Sequence, residues 1–445
     1  MNTERKIRVL LHLIAGILLI TVALVFHYFL GLNFYIGLRK AALIGCGIIL
    51  IAAGFLLKTE RLARLSEILS LIVVSLSVSV LLLEFLFRAI AFDFAHEEAA
   101  TLAYPPFYRE AMVPFGEVYF RRQGPEEWHG QPITTLLKLH RLSTAQYQNE
   151  LAITVKYNQL GFRQEQGYTD WDLAVAGDSF TELGILPFDQ LPTTIVGKLL
   201  KIRVVNFGVT VTGPLTHLTY LRTFALAHST KEVMIVFFEG NDLDDLNAEF
   251  AALDRFRTTG EREYRRFKKQ TSLLRAITDI GRQPRRKELV NRLSALFKSA
   301  TGDIPVSLDY LPPETTRLPE TTLARLEYFF GEYNEFARRA GVTAWLAYMP
   351  CKIRVLYNHI AFLDSAPEIQ KKWKPTDLPQ TIARLSQRHG LRFIDLTPAL
   401  VEETNRRKIL LFNPYYDTHL NSAGARVVGE ELARRLAGEN WRSQS

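Results

Sequence analysis

The 445-residue chain has only two cysteines, Cys46 and Cys351, far apart in the sequence. So few cysteines exclude a disulfide framework and any zinc site built on cysteine pairs. Glycine and proline are not enriched, and the sequence contains neither a low-complexity tract nor a repeat with the period of a solenoid or propeller. The sequence therefore predicts ordinary packed domains, and its length predicts more than one of them.

Hydrophobic residues make up 48% of the chain, but they are concentrated near its N-terminus. Three runs have the length and composition of transmembrane helices: about 9–30, 41–57 and 68–90. Gly45, Gly47 and Gly54 in the second run predict close helix packing. Because two more runs follow the first, we interpret it as a retained helix and not as a cleaved signal peptide. We expect residues 1–92 to form a membrane anchor of three helices.

Basic residues flank these runs unevenly. They are Arg5, Lys6 and Arg8 before the first run, and Lys58, Arg61 and Arg64 between the second and the third. Arg39 and Lys40 oppose them from the other side but are fewer. Because basic residues stay in the cytoplasm, we expect a multi-pass protein of a bacterial inner membrane with a cytoplasmic N-terminus. Everything after the third run then lies in the periplasm or outside the cell.

Past about Asp93 the composition becomes that of a soluble protein. Residues 93–150 are aromatic and polar without periodicity, and we interpret them as a connecting region. From 151 to 445, short apolar runs alternate with amphipathic stretches. The runs are Leu173–Ala176, Val204–Phe207, Val233–Phe238, Ala344–Tyr348 and Arg392–Leu396. This alternation predicts a parallel sheet covered on both faces by helices, with its active site at the carboxyl ends of the strands.

A charge-rich stretch from about 244 to 319 interrupts this pattern, and its basic residues outnumber its acidic ones. We expect a helical insertion, for which two interpretations stay open: a solvated surface, or a face toward anionic lipid or an acidic polymer. The net charge of the whole chain is +8. With membrane segments present, lipid or an acidic glycan is the expected partner of this charge, and nucleic acid is not.

Polar motifs follow three of the apolar runs. Gly177-Asp178-Ser179-Phe180 comes directly after the first, where a serine at a strand end presents its hydroxyl and its own N–H. Asn206-Phe207-Gly208-Val209 follows the second, and Gly208 lets a substrate approach the backbone N–H. Gly240-Asn241-Asp242 follows the third, where the Asn241 amide is a further candidate oxyanion donor. Each motif alone is also an ordinary turn or helix cap.

A fourth motif, Asp417-Thr418-His419-Leu420-Asn421-Ser422-Ala423-Gly424, precedes an amphipathic stretch at the C-terminus. His419 can take the proton of Ser179 and return it to a leaving group, and Asp417 can orient the imidazole. A lone Asp-x-His is often a surface turn, but the four motifs in this order supply a complete set for acyl transfer. A serine mechanism of this kind needs no cofactor or metal, and we expect none.

Together the four motifs resemble the four blocks of the SGNH (GDSL-type) hydrolase superfamily: Gly-Asp-Ser, a lone Gly, a Gly-x-Asn-Asp-like block and Asp-x-x-His near the C-terminus. The resemblance implies Ser179 as nucleophile and His419 as base. It implies an oxyanion hole formed by Ser179, Gly208 and Asn241. It covers roughly Asp172 to the end, interrupted by the insertion, and implies a flavodoxin-like three-layer α/β/α sandwich with a central parallel sheet.

One departure from the family pattern concerns the acid. Tyr416 occupies the position three residues before His419, and Asp417 lies two residues before it. The order Asp-Thr-His resembles the one in alginate-type polysaccharide O-acetyltransferases of the same superfamily. Those proteins also carry a Pro-x-Lys segment similar to Pro350-Cys351-Lys352. That similarity implies that Lys352 meets a substrate carboxylate, the alternative being a solvated lysine after a strand.

We therefore expect a serine esterase of the cell envelope that forms an acyl-Ser179 intermediate and acts on carbohydrate or lipid esters. One alternative passes the acyl group to a sugar hydroxyl, as an O-acyltransferase of an envelope polysaccharide. A second alternative is a non-catalytic glycan-binding or assembly protein. That alternative predicts loss of the triad, so the presence of Ser179, Asn241 and His419 counts against it. The expected partners are an acylated small molecule, lipid or polysaccharide, together with membrane lipid.

Overall fold

The computed structural model describes residues 3–29, 38–57, 59–89, 105–108, 112–139, 142–164, 170–226, 229–260 and 293–438. These described residues form two compact units. One contains the described residues up to Ala89, and the other contains those from Pro105 onward.

The described residues of the N-terminal unit form three helices: α1 (Thr3–Phe29), α2 (Leu38–Leu56) and α3 (Glu60–Ala89). Helices α1 and α2 approach so closely that a Cβ added to Gly16 would lie 2.5 Å from the carbonyl oxygen of Gly47. Gly54 lies against His12, whereas Gly45 has open space around it. Two of the three glycines named from the sequence thus lie at a close helix contact.

Within the described residues, one helical segment is long and apolar enough to cross a membrane, Glu60–Phe87. The apolar part of α2, Ala41–Leu56, spans about 24 Å at 1.5 Å per residue, less than the roughly 30 Å hydrocarbon core of a bilayer. The side chains of residues 22–29 in α1 lie outside the described part. The structure therefore supports one of the three predicted spans, and the multi-pass topology stays a prediction.

The second unit begins with small antiparallel elements. A 3-10 turn (Pro106–Tyr108) is followed by the hairpin of β1 (Met112–Phe115) and β2 (Tyr119–Arg122). Strand β3 (Glu126–Gly130) pairs with β4 (Ile153–Tyr157), and helix α4 (Pro132–Leu139) lies between them in sequence. The predicted connecting region thus contains regular structure, although its residues 93–104 lie outside the described part.

The rest of the unit alternates strands and helices. They are β5 (Leu173–Gly177), α5 (Ser179–Glu182), α6 (Pro192–Leu200), β6 (Val204–Gly208), α7 (Pro214–Tyr220), β7 (Glu232–Phe238), α8 (Asp242–Thr259), β8 (Leu293–Ser299), β9 (Gly302–Ser307), α9 (Glu320–Ala340), β10 (Thr343–Met349), α10 (Lys352–Leu356), β11 (Ile360–Phe362), α11 (Glu368–Lys372), α12 (Leu378–Arg388), β12 (Arg392–Asp395), α13 (Thr397–Arg407) and α14 (Ser422–Gly438).

Five of these strands form one parallel sheet in the order β12-β10-β7-β5-β6. Each apolar run identified in the sequence lies in one of the five strands, except that Leu396 follows the end of β12. The prediction of an α/β fold with a parallel sheet is therefore confirmed. Numbered among themselves, the strands have the order 2-1-3-4-5, the flavodoxin-like doubly wound order. In that order the succession of strands reverses between β5 and β7.

Helices cover both faces of this sheet. Successive residues of a strand point to opposite faces. Accordingly Val175 of β5 belongs to a core that includes Val428 of α14, whereas Ala174 belongs to a second core that includes Phe329 of α9. The fully apolar strands are thus buried on both sides, which explains why they lack polar alternation in the sequence.

The predicted helical insertion is helical at its start and β-structured at its end. Helix α8 opens it, and β8 and β9 close it as an antiparallel hairpin that also pairs with β11. Ala295 and Phe297 are buried, whereas Lys298 is exposed, and Gly302, with φ +130°, begins β9 directly after the turn. The alternation of buried and exposed side chains along β8 is that of a strand, so the prediction of a helix is wrong for this part of the insertion. Residues 261–292, which hold most of the basic cluster, lie outside the described part.

Candidate active site

Two turns that carry predicted site residues lie side by side at the carboxyl edge of the sheet. Ser179 follows β5 and opens α5, and Asn241 follows β7 and precedes α8. Strands β5 and β7 are neighbours, with Ala176 opposite Ile235. This is the point where the succession of strands reverses, which leaves a crevice above the sheet in doubly wound folds.

Ser179, His419 and Asp417 are brought together across the edge of the sheet. The Ser179 hydroxyl lies 2.8 Å from His419 Nε2, and His419 Nδ1 lies 3.1 Å from both carboxylate oxygens of Asp417. The imidazole therefore faces the serine with one nitrogen and the acid with the other. A general base must have this geometry to accept the proton of a serine hydroxyl.

Asp417 reaches the ring from only two residues upstream because the chain forms an Asx turn. Its Oδ1 accepts the backbone N–H of His419 at 2.9 Å, and the preceding residue, Tyr416, has φ +69°. Asn413 Nδ2 donates to the same oxygen at 2.9 Å, and the Tyr108 hydroxyl donates to Oδ2 at 2.7 Å. The shorter spacing than in the family pattern is thus compatible with the contact between acid and base.

Asp417 and His419 each favour the charged form of the other. Burial alone would raise the pKa of Asp417, but the charge of His419 and hydrogen bonds from His419, Tyr108 and Asn413 hold it below its ordinary value. Burial alone would lower the pKa of His419, but the Asp417 carboxylate raises it above its ordinary value. Asp417 therefore stays ionised and strengthens His419 as a base.

The predicted oxyanion donors differ in whether they have a hydrogen left to donate to a substrate. Asn241 Nδ2 donates one hydrogen to Asp245 at 2.8 Å, and an amide carries a second. The N–H of Gly208 donates its single hydrogen to Asn206 Oδ1 at 2.8 Å. A Cβ at Gly208 would lie 2.3 Å from the backbone nitrogen of Glu182, so close packing against α5 by itself requires glycine here.

Lys352 lies beside the triad but is buried, with 1% of its surface exposed. Its ammonium donates to the carbonyl oxygen of Asp417 at 3.3 Å. Burial lowers its pKa to about 8, although the charges of Asp309 and Asp417 act in the opposite direction. The structure thus places this lysine against the backbone of the turn from Asp417 to His419, and contact with a molecule bound near Ser179 would require the lysine to become accessible.

Several side chains around the site were not identified from the sequence. Asp178 and Asp242 flank the two turns and are fully buried, and burial raises the pKa of both, that of Asp178 to about 7. Their presence within Gly177-Asp178-Ser179 and Gly240-Asn241-Asp242 was the available signal. Tyr108 lies in the connecting region, whose composition gave no signal for a contact with Asp417.

A buried ion pair links β2 to α5, the short helix that begins at Ser179. Arg122 and Glu182 are both fully buried, with Nη2 and Oε1 2.8 Å apart. Tyr157 donates to the same carboxylate at 2.5 Å, and so does the backbone N–H of Thr210 at 2.5 Å. Such a pair is satisfied only while all its partners stay in place, so it fixes β2, β4 and the loop after β6 relative to α5.

No protein-family model matches the chain, and no curated protein matches it. Solved structures similar to it include a protein of Desulfitobacterium hafniense described as lipolytic and of the G-D-S-L family, at 14% identity and a TM-score of 0.31, covering 59% of this chain and 98% of that one. Another is a variant of an acetyl xylan esterase of Geobacillus stearothermophilus, at 15% identity and a TM-score of 0.32, covering 63% of this chain and 100% of that one.

A third similar structure is LAE5, an α/β hydrolase from the metagenome of Lake Arreo, at 13% identity and a TM-score of 0.33, covering 61% of this chain and 96% of that one. All three scores lie below 0.5. The fold assignment therefore depends on the strand order, and the chemistry depends on the geometry around Ser179.

Proposed function

We propose that the chain is a serine esterase of SGNH type that forms an acyl-Ser179 intermediate. The observation that carries the proposal is the chain of hydrogen bonds from Ser179 through His419 to Asp417, in which Ser179 Oγ lies 2.8 Å from His419 Nε2. Nucleophile, base and orienting acid are the groups that ester hydrolysis by a serine mechanism needs.

The reaction takes two half-steps. His419 Nε2 removes the Ser179 proton while Oγ attacks the ester carbonyl, and the same nitrogen then protonates the departing alcohol as the C–O bond breaks. A water molecule next gives its proton to Nε2 and attacks the acyl-enzyme, and Ser179 recovers its proton as the acid is released. Asp417 keeps the imidazole oriented and balances its charge in both steps.

The oxyanion of each tetrahedral intermediate needs fixed donors. In this proposal they are the backbone N–H of Ser179 and the second amide hydrogen of Asn241. Gly208 joins them only where its N–H exchanges Asn206 for substrate. In the same way, Lys352 contacts a carboxylate-bearing substrate only where it leaves the Asp417 carbonyl.

The proposed substrate is a carbohydrate or lipid ester of the cell envelope. The helix Glu60–Phe87 would anchor the chain. The basic residues near the N-terminus favour a cytoplasmic N-terminus, with the hydrolase unit, which is the unit from Pro105 onward, on the other side of the membrane. The same acyl-Ser179 intermediate serves an O-acyltransferase, in which a sugar hydroxyl takes the place of water.

Release of p-nitrophenol from a short-chain ester by the full chain in detergent tests this proposal. Ser179→Ala is expected to lower kcat at least about a thousandfold. Ser386→Ala is the control, since Ser386 is a buried serine whose hydroxyl donates to the carbonyl oxygen of Ala383 within α12. Equal rates for Ser179→Ala and wild type would overturn the proposal. Acyl transfer to an added oligosaccharide without hydrolysis would favour the transferase, and neither activity would favour the non-catalytic alternative.

A further inference from the structure

The short segment Pro105–Tyr108 lies inside the candidate site, although it is distant from the triad in sequence. The Tyr108 hydroxyl donates to Asp417 Oδ2 at 2.7 Å. Burial, and then the Asp417 charge, raises the pKa of Tyr108 well above its ordinary value. The hydroxyl therefore keeps its proton at all physiological pH values and acts as a permanent donor to the acid.

Tyr108 differs from the other donors to this carboxylate. Oδ1 of Asp417 accepts from Asn413, from the His419 backbone and from the His419 ring, all within four residues in sequence. Among the residues that the structure describes, Oδ2 receives hydrogen bonds from the His419 ring and from Tyr108, which is 309 residues away. Tyr108 is thus the contact to this carboxylate that comes from outside the segment 413–419, and it binds the oxygen that Asn413 and the His419 backbone leave uncontacted.

The neighbouring side chain, Phe107, contacts the base itself. Its ring meets the His419 ring edge to face, at 5.0 Å between centroids and 79° between planes. Phe180, next to the nucleophile, lies against the same imidazole at 4.8 Å. The base is thus enclosed by two aromatic rings, one from the segment and one from α5, which restricts its rotation.

The segment is firmly attached to the hydrolase unit. Arg122, which pairs with Glu182, donates to the carbonyl oxygen of Pro106 at 2.6 Å. Phe107 is 3% exposed, and a Cβ added to Gly184 would lie 2.7 Å from its Cβ. The loop after the nucleophile's helix therefore has a glycine where Phe107 packs.

From these contacts we infer that Tyr108 is a positioning residue of the active site, which holds Asp417 in the orientation that receives His419 Nδ1–H. The inference rests on the proposed function of Ser179 and His419. Without the hydroxyl, the carboxylate turns more freely, so the base spends less time aligned with the serine. The unshared charge on Asp417 also attracts a protonated imidazole more strongly, so His419 loses its proton only at a higher pH.

The other charged groups around the pair stay the same when Tyr108 is changed. Asp178 and Lys352 face His419, the first raising its pKa and the second lowering it. Asp309 acts on Lys352 by its charge, and Tyr147 and Tyr310 lie close enough to Asp417 that its charge adds to burial in raising their pKa values. A change in the pH profile after removal of one hydroxyl therefore reports on the hydrogen bond to Asp417.

The test compares Tyr108→Phe with Tyr147→Phe in the full chain in detergent. Tyr147 is a matched control because its hydroxyl also donates over 2.7 Å close to the catalytic turn, but to the backbone oxygen of Tyr415. Tyr108→Phe is expected to lower kcat about tenfold with KM unchanged, and to move the acid limb of kcat against pH to higher pH. Tyr147→Phe is expected to leave the acid limb in place.

The rate at which a fluorophosphonate probe labels Ser179 gives a second measurement that needs no natural substrate. It is expected to fall in Tyr108→Phe by a factor similar to kcat. Wild-type labelling with no change in Tyr108→Phe would overturn the role of Tyr108 alone. Equal losses in both variants with an unmoved acid limb would overturn it too, because they would indicate packing only. Failure of the wild type to label at Ser179 would overturn the proposed function and this role with it.

Discussion

Asp417 and His419 are joined twice: one carboxylate oxygen accepts both the backbone N–H of His419, at 2.9 Å, and its ring Nδ1, at 3.1 Å. Because the residues are two apart, a single turn fixes the acid and the base together. The side chain of Asp417 is 1% exposed, whereas that of His419 is 14% exposed. Asp417 is thus shielded from solvent, whereas His419 is partly exposed.

The charge of Asp417 is predicted to matter more than its shape. In Asp417→Asn the amide still fits the turn, but no negative charge stabilises the protonated imidazole, and one oxygen becomes a donor that competes with Nδ1–H. We expect kcat to fall about a thousandfold or more with KM little changed, measured as release of p-nitrophenol.

Asp172→Asn is the control for this change. Asp172 precedes β5 at the opposite edge of the sheet and accepts the backbone N–H of Arg203 at 2.9 Å. Its amide variant is expected to lose some stability and to keep kcat within about twofold, since the site is remote. Similar losses of kcat in both variants would argue against a specific role for Asp417.

The sequence was sufficient to predict the parallel sheet because β5, β6 and β7 are short apolar runs separated by helical stretches. It was also sufficient to identify Ser179 and His419 as the candidate nucleophile and base, since four separate turns or caps rarely occur by chance in the order that acyl transfer needs. The acid was predicted from its neighbour in sequence, and the Asx turn explains how that spacing allows contact.

Contacts between distant segments could not be predicted in this way. Tyr108 lies in a stretch without periodicity, and its partner is 309 residues away, so no local pattern indicates the pairing. Gly208 shows a different difficulty. A glycine after a strand suggests an exposed backbone N–H, but the same residue type also permits close packing, and a single sequence does not separate the two.

Close packing at Gly208 leads to a prediction for Gly208→Ala. The added Cβ would lie 2.3 Å from the backbone nitrogen of Glu182 and 2.6 Å from the backbone carbon of Thr181. Because backbone atoms cannot rotate away, helix α5 must shift, at a cost of about 1–3 kcal/mol. Thermal unfolding of the full chain is expected to show a Tm lower by roughly 3–10 °C.

Gly438→Ala is a matched control for this substitution, because a Cβ at Gly438 meets nothing within 4 Å. Its Tm is expected to stay within about a degree of wild type, since alanine is tolerated in a helix and nothing is displaced. A Tm for Gly208→Ala as high as that of Gly438→Ala would mean that the loop after β6 yields without cost, and the packing argument would fail.

Asp178 is predicted to make stability depend on pH. Burial raises its pKa to about 7 from an ordinary 3.8, so the folded state binds this proton more tightly than the unfolded state does. Burial, and then the charge of Asp178, also raises the pKa of the neighbouring Asp242. The resulting stabilisation is complete below the unfolded pKa and is lost as the pH rises through about 7, when a buried carboxylate must carry charge.

Asp178→Asn removes that titration while its amide oxygen can still accept the backbone N–H of Phe180, as Oδ1 of Asp178 does at 2.9 Å. We expect the Tm of Asp178→Asn to match wild type near pH 5 and to exceed it by a few degrees at pH 8. Asp189→Asn, at an exposed position a few residues after α5, should show no such trend. A difference between Asp178→Asn and wild type that is the same at both pH values would show that Asp178 does not hold a proton in the folded state.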